Sequence, residues 1–140
     1  DNALADDYLK DEYEEYALIT KIVSTMRTPY TGVVYCVADE KYIVEKSTLA
    51  KVANQIMRLK GINACFVIGK VTEKETKISA RSDSTINVQI LCEKLGGGGH
   101  FDMAAASFQN ASVSSVEGKL LDVLDMYLNE AKSDVGGNRT

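Results

Sequence analysis

The stretch "ACFVIGKVTEKETKISAR", Ala64–Arg81, decides the fold. Two runs suited to extended chain, Ala64–Val71 and Glu75–Arg81, flank the short polar link "TEK". A link that short joins neighbours running in opposite directions, so the pair reads as an antiparallel hairpin. Working back from it, Ser47–Lys60 places Leu49, Val52, Ala53, Ile56 and Met57 at helical spacing. That pattern predicts an amphipathic helix, with Ser47 or Thr48 as its cap and Gly61 as its stop. Still earlier, "VVYCVA" (Val33–Ala38) reads as a buried strand. "RTPYTG" (Arg27–Gly32) holds the single proline and reads as a break. Strands and helices thus alternate around one hairpin. This predicts an α/β fold, a mixed β-sheet with helices packed on it.

Towards the C-terminus, Ser82–Thr85 is polar and reads as a turn. Ile86–Leu95 is ambiguous: Ile86, Val88 and Ile90 alternate like a strand, while Val88, Leu91 and Leu95 fit a helix. The glycines that follow favour the helix, as its stop signal. Ala104–Phe108 reads as a fourth strand. Ser115–Lys132 carries a long apolar stripe, with Ser114 and Glu117 spaced as a capping box. At the other end, Ala3–Met26 is acidic and tyrosine-rich, and reads as one helix, either continuous or broken near Asp11. Residues 1–32 are expected to be a linker from a preceding domain, 33–133 the domain proper and 134–140 a disordered tail. A start without methionine suits a piece of something longer.

The 140 residues are 45% apolar and 26% charged, with a net charge of -4. This is an ordinary globular balance and not that of a strongly basic nucleic-acid binder. A local anion site needs only a few donors and remains open. Cys36, Cys65 and Cys92 form no CxxC or Cys/His cluster, and read as buried reduced thiols of a reducing compartment. No run is apolar and long enough to span a membrane, and no signal peptide is visible.

"KLGGGGHFDMAA" (Lys94–Ala105) joins four glycines to the only histidine. A helix stop needs one glycine. The rest form either a floppy loop or a bare backbone on which a ligand lies, its N–H groups converging on an anion. The preceding helix presents its negative end, so an anion is expected nearer a short helical turn starting after His100. His100 is either an ordinary surface residue or a donor to a phosphate oxygen. With no partner histidine it does not suggest a metal site. Arg81, at a strand end, is either solvated or a forked phosphate donor.

"ISARSDSTINVQILCEKLGGGGHFDMAAAS" resembles the signature of the DHH-associated domain, the second domain of DHH-family phosphoesterases. The likeness rests on Arg81–Ser82, Ile86–Gln89 and Gly96–Phe101, in order and spacing, and extends over roughly Val33–Lys132. It is strongest to the membrane-anchored cyclic-di-AMP phosphodiesterases of Gram-positive bacteria. The resemblance implies a preceding DHH domain that binds two manganese ions and activates a water. The associated domain closes over that site and holds the nucleotide. It implies substrate-binding roles for Arg81 and His100, with Ser82, Gly96, Gly97, Gly98 and Gly99 as a backbone cradle. It assigns no catalytic residue and no metal ligand to this chain, which lacks a DHH triplet. The implied partners are a cyclic dinucleotide and the preceding DHH domain, in a cytoplasmic domain of an anchored parent, with no duplex nucleic acid. A homodimer stays open. Ala104–Ala105–Ala106–Ser107 departs from the glycine-containing run of many relatives, which leaves the shape of the base or ribose pocket open, and Asp83–Ser84–Thr85 lies where relatives vary. Two alternatives remain: a DHH-family exonuclease or oligoribonuclease for short or single-stranded nucleic acid, and a noncatalytic binding or dimerisation module.

Overall fold

A computed structural model describes the backbone of residues 2–137 and the side chains of residues 9–129. The elements run α1 (Asn2–Val23), β1 (Arg27–Tyr30), β2 (Val33–Val37), α2 (Lys46–Ile56), β3 (Ala64–Thr72), β4 (Glu75–Ser82), α3 (Val88–Lys94), β5 (Gly98–Gly99), β6 (Met103–Gln109) and α4 (Val113–Gly137). The strands form one sheet in the order β1-β2-β3-β4-β6-β5. β2 and β3 are parallel, joined by the α2 crossover, and every other neighbouring pair is antiparallel. This is the mixed sheet that the hairpin and the strand–helix–strand order predict.

β3 alternates its side chains between two cores, which is why its sequence is apolar almost throughout. Phe66 and Ile68 join Ile78, Ala80, Leu91, Leu120 and Leu124 beneath α3 and α4. Cys65 and Val67 join Val34, Cys36, Leu49, Val52 and Ile56 beneath α1 and α2. The second layer stops short. α2 lies over β3 and leans on β4, but on that same face of β6 Met103 and Ser107 are exposed.

Five readings are corrected. The Arg27–Gly32 break contains β1, which pairs Arg27 with Tyr35 and Tyr30 with Val33. Pro29 is tolerated there because an edge strand leaves one row of donors unpaired anyway. α1 is unbroken at Asp11 and ends at Val23. α2 starts at Lys46 with Glu45 at its cap and no side-chain capping bond, so Ser47 and Thr48 lie inside it. It stops at Ile56, before Gly61. In α4 the capping hydroxyl is that of Ser112, which accepts from the Ser115 N–H at 3.0 Å, and not that of Ser114. Glu117 is taken up elsewhere: the Tyr35 hydroxyl donates to it at 2.6 Å, and Arg27 pairs with it. This cluster ties the start of α4 to β1 and β2. Burial, and then the bond to Glu117, raise the Tyr35 phenol above its ordinary value. α4 runs to Gly137, so the expected tail is helical over 134–137. Residues 138–140 lie outside the described residues.

The three cysteines are free and buried. Burial pushes Cys36 up to about 11 and Cys65 and Cys92 up to about 12. The folded chain therefore favours neutral thiols. Their contribution to stability is complete below the ordinary thiol value of 9.0 and is lost as pH rises towards 11–12. At pH 8 none of the three should react with a disulfide reagent in the native chain, while all should react in urea. A native thiol labelled at the unfolded rate would contradict this burial.

Candidate functional site

Arg81, His100 and Gly98 meet where the face of β6 and β5 that α2 leaves uncovered adjoins β4. Side chains alternate along each strand, and directly paired residues share a face. On β4, Ile78 and Ala80 enter the core beneath α3 and α4, so Lys77, Ser79 and Arg81 face the other way. β6 pairs Ser107 with Lys77, Ala105 with Ser79 and Met103 with Arg81. β5 adds Gly98 beside Ala105. His100 closes the β5–β6 turn opposite Met103: its N–H donates to the Met103 carbonyl at 2.7 Å, and the Met103 N–H donates back at 3.3 Å. Arg81, Met103 and His100 therefore form one row across three strands, spanning roughly 10 Å of backbone at the usual strand spacing. Ser79, Ala105 and Gly98 form the next row. The result is a shallow tray with a floor of small residues, walled on one side by α2.

Each glycine has its own reason. Gly96 has φ +88 and ends α3. Its N–H donates to the Glu93 carbonyl, and the Gly97 N–H donates to Cys92 at 2.7 Å. These are the two bonds of a Schellman stop. A β-carbon on Gly97 would lie 2.0 Å from the Ala105 carbonyl oxygen, and one on Gly99 would lie 2.6 Å from the Ala104 Cα. Both glycines let β5 press against β6. A β-carbon on Gly98 would meet nothing within 4 Å, and that free space opens onto the tray. The missing side chains of Gly97 and Gly99 are thus explained by packing inside the protein.

No helical turn follows His100, contrary to expectation. The chain reverses through Phe101–Asp102 into β6, and the His100 N–H is already bonded to Met103. The imidazole itself stands on an exposed residue. Ser82 holds this reversal: its N–H donates to the Asp102 carbonyl at 2.9 Å, and its hydroxyl donates to the Phe101 carbonyl at 3.4 Å. Arg81 is half-buried and held by neutral acceptors. Its Nε donates to Asn54 Oδ1 at 3.1 Å, and Nη1 donates to the Ala80 carbonyl at 2.8 Å and to Ser79 Oγ at 3.4 Å. Among the described residues its guanidinium makes no ion pair. Asp83, next along the chain, is engaged by Thr85 and by Asn63 Nδ2 at 2.8 Å. Those bonds, that from Thr85 first, hold its carboxyl below the usual range. The tray thus offers an oriented, unneutralised guanidinium, an exposed imidazole and bare backbone, a set suited to an anion.

Sequence reasoning missed Asn54, Met103 and Asn87. Asn87 caps α3, its side chain accepting from the Ile90 N–H at 3.2 Å. An asparagine just before Val88, inside the ambiguous run, was the available signal for that helix. Among the described residues no three His, Cys, Asp or Glu side chains gather as a metal-holding group. A cleft of about 540 Å³ opens at the opposite end of the sheet, over Leu18, Ile22, Val37 and Val44. It contains none of the sequence-selected residues.

The DHHA1 domain family matches residues 30–130. The chain belongs to that family. This DHHA1 domain is 30% identical over 132 residues to the cyclic-di-AMP phosphodiesterase GdpP of Geobacillus thermodenitrificans, covering 94% of this chain and 20% of that protein. It is also 30% identical to the cyclic-di-AMP phosphodiesterase PdeA of Listeria monocytogenes over 127 residues, covering 91% of this chain and 19% of PdeA. The chain therefore spans about a fifth of these relatives. An exopolyphosphatase-related protein from Bacteroides fragilis shares the fold, with a TM-score of 0.68 at 19% identity over 84% of this chain and 36% of that one. No described helix is long and apolar enough to cross a membrane.

The glycines give a sharp test of this geometry. Gly97→Ala should lower stability by about 3 kcal/mol, because the new methyl overlaps the backbone of β6. Gly98→Ala should stay within about 0.5 kcal/mol, as a surface change away from other atoms. Urea unfolding of both variants measures the difference, and equal losses would place β5 elsewhere than against β6.

Proposed function

We propose that this DHHA1 domain is the substrate-binding part of a phosphodiesterase that hydrolyses cyclic-di-AMP to the linear dinucleotide. The observation that carries the reading is the cross-strand row Arg81–Met103–His100 beside the open Gly98. The named activities of GdpP and PdeA support it. In this reading Nη2 of Arg81, the guanidinium nitrogen that Asn54, Ser79 and Ala80 leave open, donates to a phosphate oxygen, and His100 donates to another. Ser82 positions His100 by fixing the reversal after it, and Gly98 lets the ligand approach the strand. Holding the phosphorus between two donors fixes the line along which a nucleophile attacks.

The residues of this domain do not fit manganese, since no ligand group is present among those described. We assign the metal, and the water it activates, to a preceding DHH domain in the same protein. That protein would be anchored in the membrane, with this domain on the cytoplasmic side. The isolated chain should therefore fail to hydrolyse cyclic-di-AMP in the presence of manganese.

Binding of cyclic-di-AMP to the chain, followed by amide chemical shifts, tests the assignment. Arg81→Gln and His100→Ala should each weaken it by about 1.5–3 kcal/mol, the value of a hydrogen bond to a charged group. Unchanged affinity in His100→Ala would return that residue to the ordinary surface. Turnover by the pure chain, insensitive to both changes, would reject the division of labour.

A further inference from the structure

We propose that Lys77 forms a second phosphate-binding position on the tray, so that the site takes a ligand with two phosphates and not one. This rests on the reading of Arg81 and His100 given above. Lys77 lies on β4 four residues before Arg81, with its side chain on the same face of the sheet. At the rise of an extended strand the two Cα atoms stand roughly 13 Å apart. Both side chains are long, and between them on β4 stands only the small Ser79, buried and bonded by Arg81 Nη1, with half-buried Ala105 beside it. Nothing on that floor projects far enough to separate two groups of one ligand.

The state of the amine points the same way. Lys77 is half-buried, yet it makes no ion pair and no side-chain hydrogen bond among the described residues. Its nearest carboxylate along the strand face, Glu75, pairs with Lys46 of α2 at 3.7 Å. On β6 its direct neighbour is Ser107, whose exposed hydroxyl can donate to the same oxygen that an ammonium binds. On β3 its neighbour is Gly69, which is covered by Leu49 and offers no charge. Two cations thus share one face of one strand, both without a carboxylate, at the two ends of a small-residue floor. A mononucleotide engages one end. A cyclic or linear dinucleotide reaches both, and its two phosphates are what distinguish it chemically from its own monomer.

The test compares ligands as well as variants. The chain is titrated with cyclic-di-AMP and, separately, with AMP, following amide shifts, and each variant is melted to confirm its fold. Lys77→Gln should weaken cyclic-di-AMP about tenfold and leave AMP within about twofold, and Lys77→Arg should restore most of the loss. Arg81→Gln should weaken both ligands. Equal affinity of wild type and Lys77→Gln for cyclic-di-AMP, or an equal loss for both ligands, would overturn the second position while leaving the first intact. Arg81→Gln without effect on either ligand would overturn the reading of the tray itself, whatever Lys77 does.

Discussion

The close approach of β5 to β6 is the constraint on which the site depends. Two residues of chain are laid against the last long strand of the sheet, and the fit leaves no volume for a β-carbon at Gly97 or Gly99. Backbone this close is available to glycine alone, whose conformational freedom makes it costly to order. The cost is offset by what surrounds it. The α3 stop uses Gly96 and Gly97 to bond its last carbonyls. The β5–β6 turn is held from outside by the Ser82 and Val88 N–H groups, which donate to Asp102 and Phe101. Remove that approach and His100 loses its place opposite Met103, and with it the row that contains Arg81.

The sheet is covered unevenly, and the unevenness makes a site out of a fold. α3 and α4 bury one face from β2 to β6, and this core holds the bulky Phe66, Leu91, Leu120 and Leu124. On the other face α1 and α2 reach only as far as β4. The alternation of β6 shows the result directly, with Ala104, Ala106 and Phe108 buried and Met103, Ser107 and Gln109 exposed. Ala105 lies in the half-covered row, so its small side chain keeps the floor low. A large apolar residue there would protrude into solvent beside Arg81.

Much of the fold was legible because it is written in local pattern. The hairpin at Ala64–Arg81, the α2 stripe and the α4 stripe each depend on spacing alone. What failed depended on partners distant in sequence. Arg27–Tyr30 is strand only because β2 lies beside it, and a proline in an edge strand looks from sequence like a break. Ser114 and Glu117 have the spacing of a capping box, but a half-buried tyrosine hydroxyl from β2 competes for the same carboxylate and wins. The site shows the same division. Arg81 and His100 were singled out as candidates by residue type, but the four glycines could not be told apart. Their roles are set by which strand lies opposite, and register is not visible in a glycine run. Lys77 was passed over because one residue in a strand, taken alone, has no known face until the strand is paired.

The way Arg81 is held bears on what it can do. A carboxylate partner would orient the guanidinium equally well, but a ligand anion would then have to displace it. Surface ion pairs contribute only about 0.2–1 kcal/mol, so stability would change little either way. Binding would change more, because the charge on the ligand would meet a neutralised group. Asn54, Ser79 and the Ala80 carbonyl orient the side chain with dipoles and leave its charge intact. They also restrict its rotamers, so that in the proposed binding role an ordering cost of about 0.5–1.5 kcal/mol would be avoided. Asp83, two residues beyond Arg81 in the chain, is the carboxylate that could spoil this arrangement. Asn63 and Thr85 hold it by hydrogen bonds of their own. A neutral amide thus stands at each end of the problem, one orienting the cation and one occupying the anion. Their separation leaves the Arg81 charge without a carboxylate partner among the described residues.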